Sequence, residues 1–539
     1  MNGYETFEQI CRAMALPEFY PHPVTGLERR DTHISAVFLT GDWVYKLKKP
    51  VNFGFLDFES FDSRRTYCRQ EVMLNQRLTS GVYEGVVEIV QDFQGEIKLG
   101  GQGRVVDHVV KMRQLPDERN LEVLLNEGEI EEHHIEALGK RLAQFYHSSP
   151  ASEEIRSFGD PQVISINMEE NFFQIQPFVG DPVNEERWQF IREVSRAFFT
   201  NHEMAFRERV FSGCIVDGHG DLRAEHVYFE DVIQVIDCIE FNDRFRYGDV
   251  ASDISFLYMD LDRLGHRELG HSLLQAIVQS TGDYGLYAFI DFYAAYRAVV
   301  KLKVACFNFG GSLEDEQRDH QRDAAAQYLQ QAYTYALGFG RPTLWVFCGL
   351  PASGKSTLAE KLSATFHVRL IRSDLVRKEG AGLSPEAGEV VSFGEGLYRS
   401  GLRHRVYGRM LLMAQDSLER GRSVILDGTY SHRKWRDDAR QLATDLDTNM
   451  IFVECLASVE CIRQRLRERE KLSGPSDARL QHLDALSAEF EPLMEMESKM
   501  LIKVSTEKSL EESFLKVVAG SHARKCAQIE MLSSVLPAS

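Results

Sequence analysis

The chain has 539 residues, 43% of them apolar, and its 81 acidic against 62 basic side chains give a net charge of −19. That acidity excludes bulk wrapping of nucleic acid, and nine scattered cysteines without a CxxC pair argue for reduced thiols in a cytoplasm over a disulfide or zinc framework. The opening MNGYETFEQICRAM has no signal-peptide core, and the apolar stretch 287–307 carries Asp291, Arg297, Lys301 and Lys303, so no membrane span is expected.

In chain order, a short helix over 5–16 ends at Pro17. Residues 33–48 alternate apolar and polar on either side of Thr40-Gly41-Asp42 and predict a β-hairpin whose second arm presents Lys46 and Lys48. A helix over about 60–78 carries Glu71 among its core positions. Strands near 86–91 and 105–112 follow, then Arg113-Gln-Leu-Pro as a hinge, and 119–147 and 184–211 are helical by pattern. Two short β runs then present acids at their ends, in Val216-Asp-Gly-His219-Gly-Asp221 and Val232-Ile-Gln-Val-Ile-Asp237-Cys-Ile-Glu240, with Asp249 and Asp253 beyond. Each aspartate alone reads as a turn former. Together they match what phosphoryl transfer needs: one carboxylate to orient a hydroxyl and another to hold Mg²⁺.

Residues about 30–310 resemble the aminoglycoside phosphotransferase and choline kinase family, a branch of the protein-kinase-like fold. The resemblance implies that Asp221 is the catalytic base, that Asp237 is a Mg²⁺ ligand, and that Lys46 with Glu71 forms the phosphate-holding pair, with Lys48 as the rival lysine. The sequence departs from the family twice. His226 stands where the second metal ligand is usually Asn, and imidazole suits Mn²⁺ or Zn²⁺ better than Mg²⁺, so the site should favour Mn²⁺ or rely on one metal only; Thr32-His-Ile-Ser35 replaces a Gly-rich loop.

A polar helix over 314–336 is broken by Gly338-Phe-Gly-Arg-Pro342, which places a boundary between domains 1–337 and 343–539. Next comes LWVFCGLPASGKSTLAEKL, residues 344–362. An apolar strand, the loop Gly349-Leu-Pro-Ala-Ser353-Gly354-Lys355-Ser356-Thr357 and a helical spacing make a phosphate loop in its expected context. Its backbone N–H groups would surround a polyphosphate, Lys355 would reach the β- and γ-phosphates, and the Ser356 hydroxyl would hold Mg²⁺. Strands at 368–372, 424–427 and 449–455 alternate with helices at 397–420 and 459–470, which indicates a parallel sheet with ligands at the strand ends, where Asp374 and Asp427 fall.

This third resembles the P-loop kinases grouped with phage polynucleotide kinase and zeta-toxin-like kinases. The resemblance implies Asp374 as base, Arg377 and Asp427 as substrate contacts, and a lid from Arg465-Leu-Arg-Glu-Arg469 through Gly474-Pro-Ser-Asp whose Arg465 and Arg469 close over the transferring phosphate. A solvated face paired with Glu468 and Glu470 is the alternative reading of those arginines. The expected architecture is therefore α/β and α+β, a two-lobed kinase-like fold followed by a doubly wound P-loop sheet. The expected activity moves the γ-phosphate of ATP, with Mg²⁺, to a hydroxyl acceptor such as a nucleic-acid 5′ end, a nucleoside or another small molecule. An ATPase switch and a nucleotide-sensing pseudokinase that regulates a partner are the alternatives.

Overall fold

Six strands lie between residues 28 and 113: β1 (Glu28–Asp31), β2 (Ser35–Leu39), β3 (Trp43–Lys48), β4 (Tyr83–Gln91), β5 (Ile97–Leu99) and β6 (Arg104–Arg113). The computed structural model that shows them describes residues 3–54, 56–311, 315–384, 400–469 and 480–535. Glu314, Arg399, Glu470 and the Gly474-Pro-Ser-Asp stretch lie outside the described residues. The six strands form one antiparallel sheet in the order β1-β2-β3-β6-β4-β5. β2 and β3 are the expected hairpin, with Ala36 opposite Leu47 and Leu39 opposite Val44. Gly41 makes its turn at φ 101°, where a Cβ would lie 1.9 Å from the Thr25 hydroxyl, so only glycine fits.

Period-2 alternation sorts β3 between the two faces. Tyr45 and Leu47 join Phe7, Ile10 and Met14 of the helix Gly3–Met14 in one cluster. Val44 joins Cys68, Val82, Val110 and Met112 in another, on the side of the helix Phe61–Asn75. Lys46 and Lys48 share the face of Val44 and so point toward that helix, which carries Glu71. The helix is started by Ser60, whose hydroxyl accepts the Ser63 N–H at 3.0 Å.

Packing divides the chain into two units, Met1–Ile164 with Arg207–Thr281, and Ser165–Phe206 with Gly282–Ser539. The first unit continues with β7 (Ile215–Asp217), β8 (Val227–Phe229), β9 (Ile233–Val235) and β10 (Tyr247–Asp249). β7 pairs with β10 and β8 with β9, both antiparallel. These short ladders pin the segment 218–226 between β7 and β8 and the turn at Asp237 just after β9.

The second unit holds a five-stranded sheet of β11 (Thr343–Cys348), β12 (Arg369–Arg372), β13 (Val424–Asp427), β14 (Asn449–Leu456) and β15 (Leu501–Ser505). All pairings are parallel, in the order β12-β13-β11-β14-β15. β11 is buried at all six positions because helices cover both faces. Leu344, Val346 and Cys348 pack with Met410 and Trp435 on one face. On the other, Trp345 stacks edge-on against Phe366 and donates to the Ser521 hydroxyl. β15 lies beyond the four strands expected from the sequence. The packing division also differs from the boundary expected at 337–342, since the helices Leu286–Phe309 and Asp315–Gly340 fall in the unit of the parallel sheet.

Candidate functional site

The phosphate loop leaves the carboxyl end of β11 through Gly349 at φ 139° and enters the helix Lys355–Phe366 through Gly354 at φ 85°. A Cβ on Gly349 would sit 2.5 Å from the Cys455 carbonyl oxygen, and one on Gly354 would press on the Thr506 side chain at 3.0 Å. Both glycines are thus required by space as well as by φ. The buried hydroxyl of Ser353 has no hydrogen-bond partner among the described residues. A buried donor left so calls for a ligand that can satisfy it, and an oligophosphate at the loop fits. Lys355 Nζ donates to the Leu350 carbonyl at 3.3 Å. Ser356 occupies the first turn beside it, while Thr357 is exposed.

Asp427 ends β13, next to the loop. Burial raises its pKa above the usual carboxylate value, against the pull of Lys355, Ser356 and Arg372, and the nearby Asp374 raises it further. Lys355, Ser356, Asp374 and Asp427 therefore share one site at the carboxyl ends of β11, β12 and β13. Ser356 and Asp427 are the oxygen donors that would suit a hard divalent ion there, and one Asp427 oxygen is buried with no hydrogen-bond partner among the described residues. Asp374, in the first turn of the helix Ser373–Gly380, pairs with Arg377 at 3.1 Å.

Arg465 reaches the loop from the helix Val459–Arg469, donating to the Ala352 carbonyl at 3.2 Å, the Thr506 hydroxyl at 3.0 Å and the Thr506 carbonyl at 2.6 Å. Arg469 is partly exposed and has no ion pair or hydrogen bond among the described residues. Thr506, which the sequence does not single out, ties the site together by donating to the Ser353 carbonyl at 2.8 Å.

In the first unit, Lys46 Nζ lies 3.0 Å from Glu71 and 2.5 Å from Asp237. Lys48 is fully buried and bridges Glu71, at 2.6 Å, and Glu240. The two lysines thus separate: Lys46 faces the Asp237 turn and Lys48 neutralises buried acids. Glu240 is in the sequence reading only as an acid at a strand end, and its pairing with Lys48 comes from the structure. Burial opposes the charge of Asp237, yet Lys46 and His226 outweigh it and hold its carboxyl well below the usual range.

His226 Nδ1 meets the Asp221 carbonyl at 2.8 Å, so that nitrogen donates to it and Nε2, 3.7 Å from Asp237, is the atom that would ligate a metal there. His219, lowered in pKa chiefly by burial, accepts from the Asp221 N–H and donates through Nε2 to the Ile236 carbonyl at 3.0 Å. Asp253 accepts the N–H groups of His219 and Gly220 at 2.7 and 2.8 Å and so shapes the loop that presents Asp221.

A protein-family profile described as an AAA domain matches residues 344–493. Among solved structures, a gluconokinase from Sinorhizobium meliloti is 19% identical over 36% of this chain and 98% of its own, with a TM-score of 0.26. A choline/ethanolamine kinase family protein from Mesorhizobium loti is 12% identical over 60% of this chain and 99% of its own, with a TM-score of 0.36. Uncharacterized proteins of Mycobacterium tuberculosis and Mycobacterium bovis, among them Rv2004c, are 32% identical over 473 residues, 87% of this chain and 91% of theirs. No described helix is long and apolar enough to cross a membrane. With its P-loop domain in the C-terminal part, the chain belongs to the family of these mycobacterial proteins.

Proposed function

We propose that the chain is an ATP-dependent phosphotransferase whose working centre is the P-loop site of residues 343–539, with 1–337 as a second, kinase-like domain. The observation that carries this reading is the convergence of Lys355, Ser356, Asp374 and Asp427 at three adjacent strand ends. ATP would lie with its β- and γ-phosphates against the N–H groups of 349–354 and the Lys355 ammonium. A divalent ion, held by Ser356 with Asp427 nearby, supplies charge neutralisation when bound. Asp374 takes the proton of the acceptor hydroxyl as the new O–P bond forms and the bond from the γ-phosphorus to the bridging oxygen breaks, leaving ADP. Arg377, paired with Asp374, orients the acceptor.

The test is product analysis with ATP and a panel of hydroxyl acceptors: nucleic-acid 5′ ends, nucleosides, sugars and aminoglycosides. Phosphate recovered on an acceptor supports transfer. ADP with free phosphate alone points to an ATPase switch.

The Lys46–Glu71–Asp237 arrangement favours a second reading, nucleotide binding in the first unit with Mn²⁺ at least as effective as Mg²⁺. In a full-length Lys355→Ala chain, calorimetry should show metal-dependent nucleotide binding, beyond any binding seen in EDTA, that Asp237→Ala removes. No metal-dependent signal at millimolar nucleotide makes that unit a scaffold.

A further inference from the structure

The P-loop occupies the carboxyl end of the parallel sheet, and the opposite end of the same sheet carries a cavity of about 440 Å³. It is walled by the starts of β11, β12 and β13, by the end of the P-loop helix at Phe366 and His367, and by the helix Leu510–Val535. Its volume is that of an ordinary small-molecule site. In a chain of net charge −19 its lining is basic: Arg341, Arg369, Arg420, Arg422 and Lys525 face one lining acid, Asp416.

Asp416 is already engaged, 2.7 Å from Arg420 and 3.9 Å from Arg369. Asp447 meets Arg341 at 2.5 Å and Asp291 lies 3.7 Å from Lys525, so the cations still outnumber the acids. The Arg422 side chain has no ion pair or hydrogen bond among the described residues, and Arg341 Nε is buried without a partner there. Burial lowers the pKa of His522, but Cys526 and Asp291 outweigh it and lift it to about 10, which adds a further charge to the wall. Guanidinium groups in excess over the acids around a partly enclosed space are the arrangement that binds phosphate by paired N–H donors. Trp345, Phe339 and Tyr287 give the same cavity an apolar floor.

We propose that this cavity is a second anion site, which takes a small molecule carrying two or more phosphate groups and lies apart from the P-loop. The helix Lys355–Phe366 begins at the P-loop and ends in the cavity wall, about 18 Å away at 1.5 Å per residue. An anion held there contacts the far end of the element that carries Lys355.

The test uses the full chain with Lys355→Ala, in EDTA, so that the P-loop and any metal-dependent nucleotide site are suppressed. Inorganic tripolyphosphate is titrated by calorimetry, and a nucleoside 5′-triphosphate in a second arm. Saturable binding is expected, weakened about tenfold or more by adding Arg369→Gln and Arg422→Gln, since each lost charged hydrogen bond typically costs about tenfold. Both arginines are exposed, so thermal unfolding should stay within a few degrees. If the double change does not fold, the single reversal Arg422→Glu, at a side chain without an ion pair among the described residues, must weaken binding. Tighter binding of the nucleotide than of tripolyphosphate assigns the aromatic floor to a base, and equal binding assigns the site to a free oligophosphate. No saturable binding, or binding unchanged by the arginine substitutions, overturns the proposal.

Discussion

Two lysine-centred sites in this molecule handle charge in opposite ways. Lys355 sits against a backbone carbonyl, and no carboxylate forms an ion pair with it among the described residues. Lys46 lies within 3.0 Å of both Glu71 and Asp237. The first leaves its charge for an incoming phosphate. The second has already spent its charge, so a nucleotide there must share the ammonium with Asp237 or draw Asp237 onto a metal. Glycine geometry and backbone N–H groups do at the P-loop what ion pairs do in the first unit. A preorganised backbone site needs no rearrangement to receive an anion, whereas a neutralised one must first be opened.

Substitutions separate the two sites. The largest effect is expected at the acceptor base. Asp374→Asn keeps the shape but loses the proton acceptor, so phosphoryl transfer should fall by about a hundredfold or more while ATP affinity stays within a few-fold. A parallel loss of ATP binding, read by calorimetry, assigns Asp374 to structure or metal instead.

Next comes the stability of the ion-pair site. Lys48→Met leaves Glu71 and Glu240 buried without their shared cation and should destabilise the first unit by about 3–5 kcal/mol. Lys46→Met, at the partly open end of the cluster, should cost less. Denaturant midpoints of the two variants check the order, and equal losses erase the distinction between the lysines.

The smallest effect is in pH dependence. Asp237 is depressed in the folded chain, so the unfolded chain binds its proton first as pH falls. Its stabilisation is complete above about pH 5 and is lost as pH drops toward the folded value. Asp237→Asn should therefore flatten the acid side of the stability profile, by up to one proton in slope. An unchanged acid limb contradicts the depressed carboxyl.

How much of this was readable beforehand follows from how local each signal is. The P-loop strand, turn and helix occupy 23 or so consecutive residues with a fixed spacing, and the structure has them in place. The hairpin was readable from alternation, and so was the pair of lysines. Which lysine faces Asp237 was not, because Lys46 and Lys48 share one face of β3, and the decision comes from Glu240, 192 residues away from Lys48. Thr506 was equally hidden, since its bond to Ser353 spans 153 residues and a single threonine has no signature. β15 was missed because LIKVS is short and follows a polar stretch. The helices Leu286–Phe309 and Asp315–Gly340 read as the end of the kinase-like domain, yet their packing places them in the other unit, which no local composition records.

The central claim is that transfer belongs to the lysine held by backbone and not to the one held by carboxylates. Full-length Lys355→Ala and Lys46→Met, incubated with γ-labelled ATP and the acceptor panel, test it directly. Label is expected on the acceptor with Lys46→Met, and a loss of at least a hundredfold with Lys355→Ala. Undiminished transfer by Lys355→Ala, with loss in Lys46→Met, would contradict it.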